Sequence, residues 1–347
     1  MKKIQIIIFM SVLALFSCQK EVALTEQMEE SFYVRTNNAD IPAYVYGNGT
    51  SKVFVILLHG GPGGNGLEYR FGTYAEELEK RYAVVYTDQR HQGGAHGHLK
   101  DEEITVDAMV EDVHFLVQTL KQRYGNDISL FLLGHSWGGT LGSAYMVKAD
   151  YQHELNGWIE VDGAHDIPML NIELVKMILT IGNIEVAADR NTDEWVPILD
   201  YVNAIDTNNI TFDQTGQLNA YGHEIEDLLT TVYKSTDTTF SSFDNYFRSP
   251  SNPFSSAITG VQLPQAFLEE VEATSLTNQL NLITIPTLIQ WGEYDFVVPP
   301  ALGYSAFDHI SSTNKFLKIY SHSGHSPMVN EPDPFTADLI AFIELFK

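Results

Sequence analysis

The stretch Gly134-His135-Ser136-Trp137-Gly138 decides the fold of this chain, because it places a serine between two glycines. An apolar run at 128–133 precedes the stretch, and a run of small residues at 139–145 follows it. A serine on a sharp strand-to-helix turn needs small neighbours, since the strained backbone passes close to both elements. The pattern alone is common, but a strand before it and a helix after it predict that Ser136 is a nucleophile.

A second glycine-rich segment lies where an oxyanion hole would be needed. Residues 53–58 form a continuous apolar run, as expected of a central strand covered on both faces, and His59-Gly60-Gly61-Pro62-Gly63-Gly64 follows it. Glycines after such a strand let backbone N–H groups face a ligand. We predict that the amides of Gly61 and Trp137 form the oxyanion hole. The alternative for this segment is a glycine turn without a ligand.

Two further loops carry an acid and a histidine in the order that a serine nucleophile requires. A serine hydroxyl needs an adjacent base, which a carboxylate holds in one tautomer. Apolar runs at 286–291 and 316–320 predict late strands, and the loops after them contain Asp295 and His325. We therefore predict a catalytic triad of Ser136, Asp295 and His325. The local competitors for acid and base are Glu293 and His322.

Strand and helix patterns alternate through most of the chain, which predicts an α/β fold with a mostly parallel, doubly wound sheet. A helix is expected at 106–120 with Thr105 as its cap, and Asn48-Gly49 is expected to form a hairpin turn. The alternation stops between 164 and 282, where helical patterns are centred on 172–188, 194–205 and 224–234. We predict a core of residues 31–163 and 283–347, with 164–282 inserted as a helical cap.

The N-terminus has the pattern of an export signal. Lys2 and Lys3 precede an apolar stretch at 4–16, which is too short to span a bilayer as a mature helix. Leu15-Phe16-Ser17-Cys18 resembles the lipobox of bacterial lipoproteins, and Cys18 is the single cysteine of the chain. We predict a signal peptide at 1–17, lipidation of Cys18, a tether at 18–30, and anchoring to a bacterial membrane at its periplasmic face or the cell surface. The alternative is a buried N-terminal helix with an incidental cysteine.

Composition excludes some partners. The formal net charge of −25 repels phosphate backbones and anionic lipids, which argues against a nucleic-acid partner. Histidines cluster near Asp88, but without cysteines they are weak candidates for zinc, and we predict neither a metal nor a cofactor. The clustered histidines are His91, His96 and His98.

Four motifs together resemble the prolyl aminopeptidases, or proline iminopeptidases, of the α/β-hydrolase fold. They are His59-Gly60-Gly61-Pro62-Gly63, Asp88-Gln89-Arg90, the serine stretch, and Gly324-His325-Ser326-Pro327. The resemblance covers about residues 40–162 and 283–345 and implies that the chain has this fold. It also implies that Ser136 attacks a carbonyl, that His325 moves the proton, and that water releases an acyl-enzyme. Members of the family release an N-terminal residue, often proline, from peptides, using cap carboxylates that bind the free amine.

An exopeptidase of this kind needs a negative group for the ammonium of its substrate. Glu160 and Asp162, at the end of a predicted strand at 157–161, are the first candidates, and Glu224 and Glu226 in the cap are weaker ones. All four could instead be solvated acids of a very acidic protein.

The sequence thus predicts a serine hydrolase, and specifically an aminopeptidase that acts on short peptides. An esterase, amidase or lactonase of the same fold is the nearest alternative. An epoxide hydrolase or dehalogenase would have aspartate in place of Ser136. A lipoprotein that binds peptides without turnover is an alternative of a different class, which the presence of all three triad residues disfavours.

Overall fold

The computed structural model describes residues 22–229 and 262–347. The predicted signal peptide and Cys18 lie outside the described residues, as does the second half of the helical pattern predicted at 224–234. Everything stated below about elements and contacts refers to the described ranges.

A single sheet organises the described residues, and its strands follow the spatial order β1-β2-β4-β3-β6-β7-β8-β9. From β4 to β9 all neighbouring strands are parallel, whereas β1, β2 and the short β5 pair in antiparallel fashion. The predicted mostly parallel sheet is confirmed. The strands are β1 (Met28–Arg35), β2 (Ala39–Gly47), β3 (Val53–Leu58), β4 (Ala83–Thr87), β5 (His96–Gly97), β6 (Ser129–His135), β7 (Gly157–Val161), β8 (Thr287–Gly292) and β9 (Lys315–Tyr320).

Helices cover both faces of this sheet, so β3 is buried at every position, as its continuous apolar run predicts. The predicted helix after β5 is α2, and the Thr105 side chain caps it by accepting a hydrogen bond from the Ala108 amide at 3.1 Å. The core helices are α1 (Gly72–Arg81), α2 (Val106–Tyr124), α3 (Trp137–Val147), α8 (Ala301–His309), α9 (Pro327–Asn330) and α10 (Pro332–Phe346).

Two predictions for the N-terminal part of the core are wrong. Asn48 and Gly49 do not form a hairpin turn, because β4 lies between β2 and β3; the Asn48 side chain instead caps a short 3-10 helix. The sheet also begins before residue 31, since Met28 already pairs with Gly47 and its side chain is buried. Because the Met28 side chain is buried, residues 28–30 belong to the first strand and not to the predicted tether.

Between β7 and β8 the described residues form four α-helices and the short 3-10 helix Thr277–Leu282. The first is long and apolar enough to cross a membrane by length and composition, but Leu174 and Ile178 on it are fully buried in the hydrophobic core. The third helix starts at Phe212, far earlier than the pattern at 224–234 indicates, because Thr211 and Gln214 form a capping box there. The cap helices are α4 (Ile167–Ala187), α5 (Thr192–Asn203), α6 (Phe212–Leu228) and α7 (Gln265–Glu272).

Candidate active site

Ser136 occupies the sharp turn between β6 and α3 with φ 57° and ψ −122°, a backbone conformation that costs energy for a residue other than glycine. Both flanking glycines are required by close backbone approach. A Cβ on Gly134 would lie 2.2 Å from the carbonyl oxygen of Gly138, and a Cβ on Gly138 would lie 2.1 Å from the carbonyl oxygen of Leu58. The predicted sharp turn at 134–138, called the elbow below, therefore presents Ser136 at the carboxyl edge of the sheet.

Asp295 and His325 meet at the same edge. His325 Nδ1 donates to Asp295 Oδ2 at 2.8 Å, while Asp295 Oδ1 accepts the amides of Val297 and Val298 at 2.8 and 2.7 Å. Asp295 is fully buried and the His325 side chain is 12% exposed. Burial lowers the pKa of His325 to about 4, so the imidazole is neutral and can accept a proton near pH 7.

The competing residues of these two loops do not join this pair. Glu293 and His322 are both exposed. The His322 amide donates to Glu331 at 2.6 Å, which anchors the loop that precedes His325. Of the four candidate side chains, Asp295 and His325 are the two that hydrogen-bond to each other.

The loop after β3 lies directly against the nucleophile. A Cβ on Gly60 would be 3.2 Å from Ser136 Cβ, and the Gly60 amide already donates to Tyr69 Oη at 2.9 Å. Gly61 has φ 126°, in the region that favours glycine. Among the described residues, the amides of Gly61 and Trp137 have no protein acceptor, which leaves both available to a ligand.

The Asp88-Gln89-Arg90 motif supports the glycine-rich loop after β3 through hydrogen bonds. Gln89 Nε2 donates to the carbonyl oxygen of His59 at 3.0 Å, and Gln89 Oε1 accepts from Trp137 Nε1 at 2.6 Å. Arg90 forms a bidentate ion pair with Asp112, with Nε 2.7 Å from Oδ2 and Nη2 2.6 Å from Oδ1. Both side chains are almost entirely buried. The motif thus ties the glycine loop to the helix that begins after the nucleophile.

Asp88 completes the brace and is not free for a metal. Its two oxygens accept the amides of Gly66 at 2.7 Å and Gly94 at 2.6 Å, and burial raises the pKa of the carboxyl to about 6. The histidines that follow it in sequence diverge, since His96 and His98 are exposed and His96 packs on the ring of Tyr33. Within the described part of the chain, Asp88 and these histidines do not form a group whose ligand atoms lie close enough to share one metal ion.

Arg90→Ala will lower the free energy of unfolding by about 3–5 kcal/mol, because it leaves Asp112 buried and unpaired. Arg81→Ala is the matched control: Arg81 pairs with Glu77 on the surface, where an ion pair contributes at most about 1 kcal/mol. Urea denaturation of both variants measures the difference. Equal effects of the two substitutions would contradict the bracing role of Arg90.

A buried hydrogen-bond chain behind the nucleophile was not foreseen from the sequence. The Gly60 amide donates to Tyr69 Oη, which lies 2.7 Å from His135 Nδ1, and His135 Nε2 lies 2.7 Å from the carbonyl oxygen of His325. A carbonyl can only accept, so His135 carries its proton on Nε2 and Tyr69 donates to Nδ1. Burial lowers the pKa of His135 to about 3, which keeps the ring neutral. The chain connects the glycine loop to the loop of the catalytic histidine.

The structure contradicts the first choice of amine-binding acids. Glu160 is fully buried and pairs with His165 Nδ1 at 2.7 Å. Asp162 is also fully buried and accepts the Gly292 amide at 2.9 Å. The prediction that these two acids face a substrate is therefore wrong, because side chains at the end of a central strand are covered by the neighbouring loops. Glu224 is exposed on α6.

Glu226, two residues further along α6, is the cap acid that reaches the triad. Its Oε1 accepts the amides of Phe296 at 3.1 Å and His325 at 3.0 Å, and Gly324 leaves room for the carboxylate. Burial, and next the charge of Asp295, raise the pKa of Glu226 to about 7. One side chain of the cap thus holds both triad loops and places a carboxyl group beside His325.

Comparisons with known proteins identify the fold family of the chain. The family described as alpha/beta hydrolase fold matches residues 53–332. The proline iminopeptidase of Thermoplasma volcanium is 27% identical over 91% of this chain and 97% of its own, and that of Saccharolobus solfataricus is 25% identical over 91% and 92%. The crystal structure of the Mycobacterium smegmatis proline iminopeptidase superposes with a TM-score of 0.64 at 17% identity, covering 91% of this chain and 98% of that one. At this identity the structural likeness shows the fold alone.

Proposed function

Because the chain belongs to the α/β-hydrolase fold family, we propose that this hydrolase is a serine aminopeptidase that releases proline or another N-terminal residue from short peptides. The observation that carries the proposal is the 2.8 Å hydrogen bond from His325 to Asp295 at the sheet edge where the elbow presents Ser136. The similarity to two archaeal proline iminopeptidases supports the peptide substrate.

In this proposal Ser136 attacks the carbonyl carbon of the first residue and His325 takes the hydroxyl proton. The amides of Gly61 and Trp137 stabilise the oxyanion of the tetrahedral intermediate. His325 then gives the proton to the leaving amine, and water, activated by the same histidine, releases the amino acid from Ser136. Asp295 holds the imidazole with Nε2 free to accept the proton and stabilises the imidazolium that forms.

Glu226 binds the ammonium of the substrate in this proposal. It is the carboxylate that the cap brings next to His325, and its partial burial strengthens an ion pair relative to one in water. An enzyme that relies on this contact processes only substrates with a free amine at the N-terminus. That requirement distinguishes an aminopeptidase from an esterase with the same triad.

Kinetics with a panel of aminoacyl anilides and p-nitrophenyl esters tests the proposed reaction. Hydrolysis of anilides with free amines, prolyl anilide among them, supports the aminopeptidase. Cleavage of esters without anilides would retain the serine hydrolase and reject the peptidase. Failure of the folded protein to turn over either class would favour a binding protein. The export signal and lipidation of Cys18 stay predictions from the sequence.

The rate with prolyl anilide will depend on pH through Glu226. The carboxyl group is neutral below its pKa of about 7, and a peptide α-ammonium loses its proton above about pH 8. The value of kcat/KM will therefore be greatest between these two pH values and fall on either side.

Glu226→Gln will lower kcat/KM for prolyl anilide by about 10- to 100-fold at pH 7.5, the size of one charge-assisted hydrogen bond. It will also remove the decline of kcat/KM that starts near pH 7 on the acid side, leaving the one set by the pKa of His325 of about 4. Glu224→Gln, on the exposed surface of the same helix, is the control and will behave like the wild type. An unchanged acid limb in Glu226→Gln would reject Glu226 as the amine-binding group.

A further inference from the structure

Two carboxyl groups, not one, lie beneath the catalytic histidine. Asp162 follows β7 and Asp295 follows β8, and because these strands are parallel neighbours, both side chains reach the same edge of the sheet. Both residues are 0% exposed, and both carboxyl groups lie beside His325: Asp295 Oδ2 is 2.8 Å from Nδ1, and a carboxylate oxygen of Asp162 lies within 4.8 Å of a ring nitrogen. Two negative charges this close in a buried site are strongly disfavoured, so one of the two acids carries a proton.

The hydrogen-bond donors around the pair decide which acid carries the proton. Asp295 accepts three hydrogen bonds, from the amides of Val297 and Val298 and from His325 Nδ1. Asp162 Oδ1 accepts one, from the Gly292 amide, and within the described ranges Asp162 Oδ2 meets no N–H or O–H donor. Three donors stabilise the charge on Asp295, so the proton resides on Asp162.

His135 does not supply the missing donor. Its Nε2 lies 4.0 Å from Asp162 Oδ2, and the proton on that nitrogen is directed to the carbonyl oxygen of His325 instead. Burial and the negative charge of Asp295 raise the pKa of Asp162 well above its usual range. The titratable groups that influence the pair from the surrounding elements are Tyr69, His135, His223, Glu226, Tyr320 and His325.

We propose that Asp162 is a positioning residue that remains protonated and donates a hydrogen bond to Asp295, fixing the carboxylate that orients His325. This role rests on the proposed serine-hydrolase function, but the location of the proton does not. Asp162 touches no substrate in this arrangement; it acts through Asp295. The neutral acid adds a donor without adding a second negative charge below the imidazole.

Asparagine at this position imitates a protonated aspartate, since its amide can donate to Asp295 while its oxygen accepts the Gly292 amide. Asp162→Asn will therefore retain kcat within about threefold on the best substrate of the panel and leave the pH profile of kcat unchanged. Asp162→Ala removes the donor and will lower kcat by about 10- to 100-fold with little change in KM, as expected for one lost hydrogen bond to a charged group. Equal losses of kcat in the two variants would overturn the positioning role.

Stability as a function of pH tests the proton directly and needs no substrate. A protonated Asp162 means that the folded wild type binds one more proton than the unfolded chain above about pH 4, so wild-type stability falls as pH rises. Asp162→Asn has no such proton. Between pH 5 and 7 the ratio of the two unfolding constants will shift about tenfold per pH unit in favour of the variant.

Asp166→Asn is the matched control, because Asp166 is a buried aspartate that caps α4 and asparagine is an equally good cap. It provides the reference for an aspartate-to-asparagine change away from the triad. Parallel stability curves for wild type and Asp162→Asn across this pH range would show that Asp162 is ionised and would refute the shared proton. If the stability difference between the wild type and Asp162→Asn depends on pH but the protein hydrolyses no substrate, the proposed function is rejected, whereas the protonation of Asp162 is supported.

Discussion

Ser136→Ala will lower kcat for prolyl anilide by about 10⁴- to 10⁶-fold, the range that loss of a serine nucleophile produces in peptidases. The reason is that no other hydroxyl is placed on the strained turn between β6 and α3. The fold should be unaffected, since alanine is smaller than serine and Ser136 caps α3 with no side-chain hydrogen bond. Single-turnover kinetics will in addition show no acyl-enzyme burst in this variant.

Ser143→Ala is the matched control for this experiment. Ser143 is a fully buried serine on α3, about two helical turns after Ser136, and its Oγ has no hydrogen-bond partner among the described residues. We expect the control to keep wild-type kcat and to be at least as stable. Activity that survives in Ser136→Ala at more than about one part in a hundred would rule out the proposed acyl-enzyme mechanism.

Asp295→Asn will reduce kcat by about 10⁴-fold, the magnitude of the same change in serine peptidases. If the NH₂ group of the asparagine faced the amides of Val297 and Val298, it would meet two other donors. If it faced His325 Nδ1, it would favour the tautomer with the proton on Nε2. That tautomer cannot accept the proton of Ser136. The measurement is kcat at pH 7.5 in a protein whose folding is checked by circular dichroism.

Glu293→Gln and His322→Asn are controls for the acid and the base, because each lies in the same loop as its catalytic counterpart but is exposed. Both should retain kcat within about twofold, as surface substitutions away from such features normally do. A loss in Glu293→Gln comparable to that in Asp295→Asn would mean that the wrong carboxylate has been identified.

The sheet, the sharp turn at Ser136 and the contact between Asp295 and His325 could be predicted because their signals are local. The elbow needs glycine on both sides of Ser136, and the buried strands need continuous apolar runs, so both leave a pattern in a few adjacent residues. The acid and the histidine follow late strands, where the parallel topology gathers loop residues at one edge. The resemblance to proline iminopeptidases added the motif after β4, whose bracing function only the contacts of Gln89 and Arg90 reveal.

The identity of the amine-binding acid could not be predicted in the same way, because it depends on how the cap lies over the sheet. Glu160, Asp162, Glu224 and Glu226 are indistinguishable by sequence pattern in a chain with 45 acidic residues. Tertiary burial separates them. Glu160 and Asp162, at the end of β7, are fully buried, whereas on α6 Glu226 contacts His325 and Glu224 is exposed to solvent.

The hydrogen-bond chain through His135 was missed for a related reason. His135 is visible in the sequence beside Ser136, but its partners come from the loops after β3 and β9. Sequence separation of 66 and 190 residues hides such contacts from any local pattern. The Asn48-Gly49 turn failed similarly, since the strand order that separates β2 from β3 is set by the whole sheet.

If this hydrolase is the aminopeptidase we propose, it requires a free N-terminal amine, and the ratio of kcat/KM for prolyl anilide to that for N-acetylprolyl anilide measures this requirement most directly. We predict a ratio of at least about 100 in the wild type, since acetylation removes the ammonium and its ion pair with Glu226. The ratio should fall toward 1 in Glu226→Gln. Equal hydrolysis of the two substrates by the wild type would contradict the aminopeptidase and favour a general amidase or esterase.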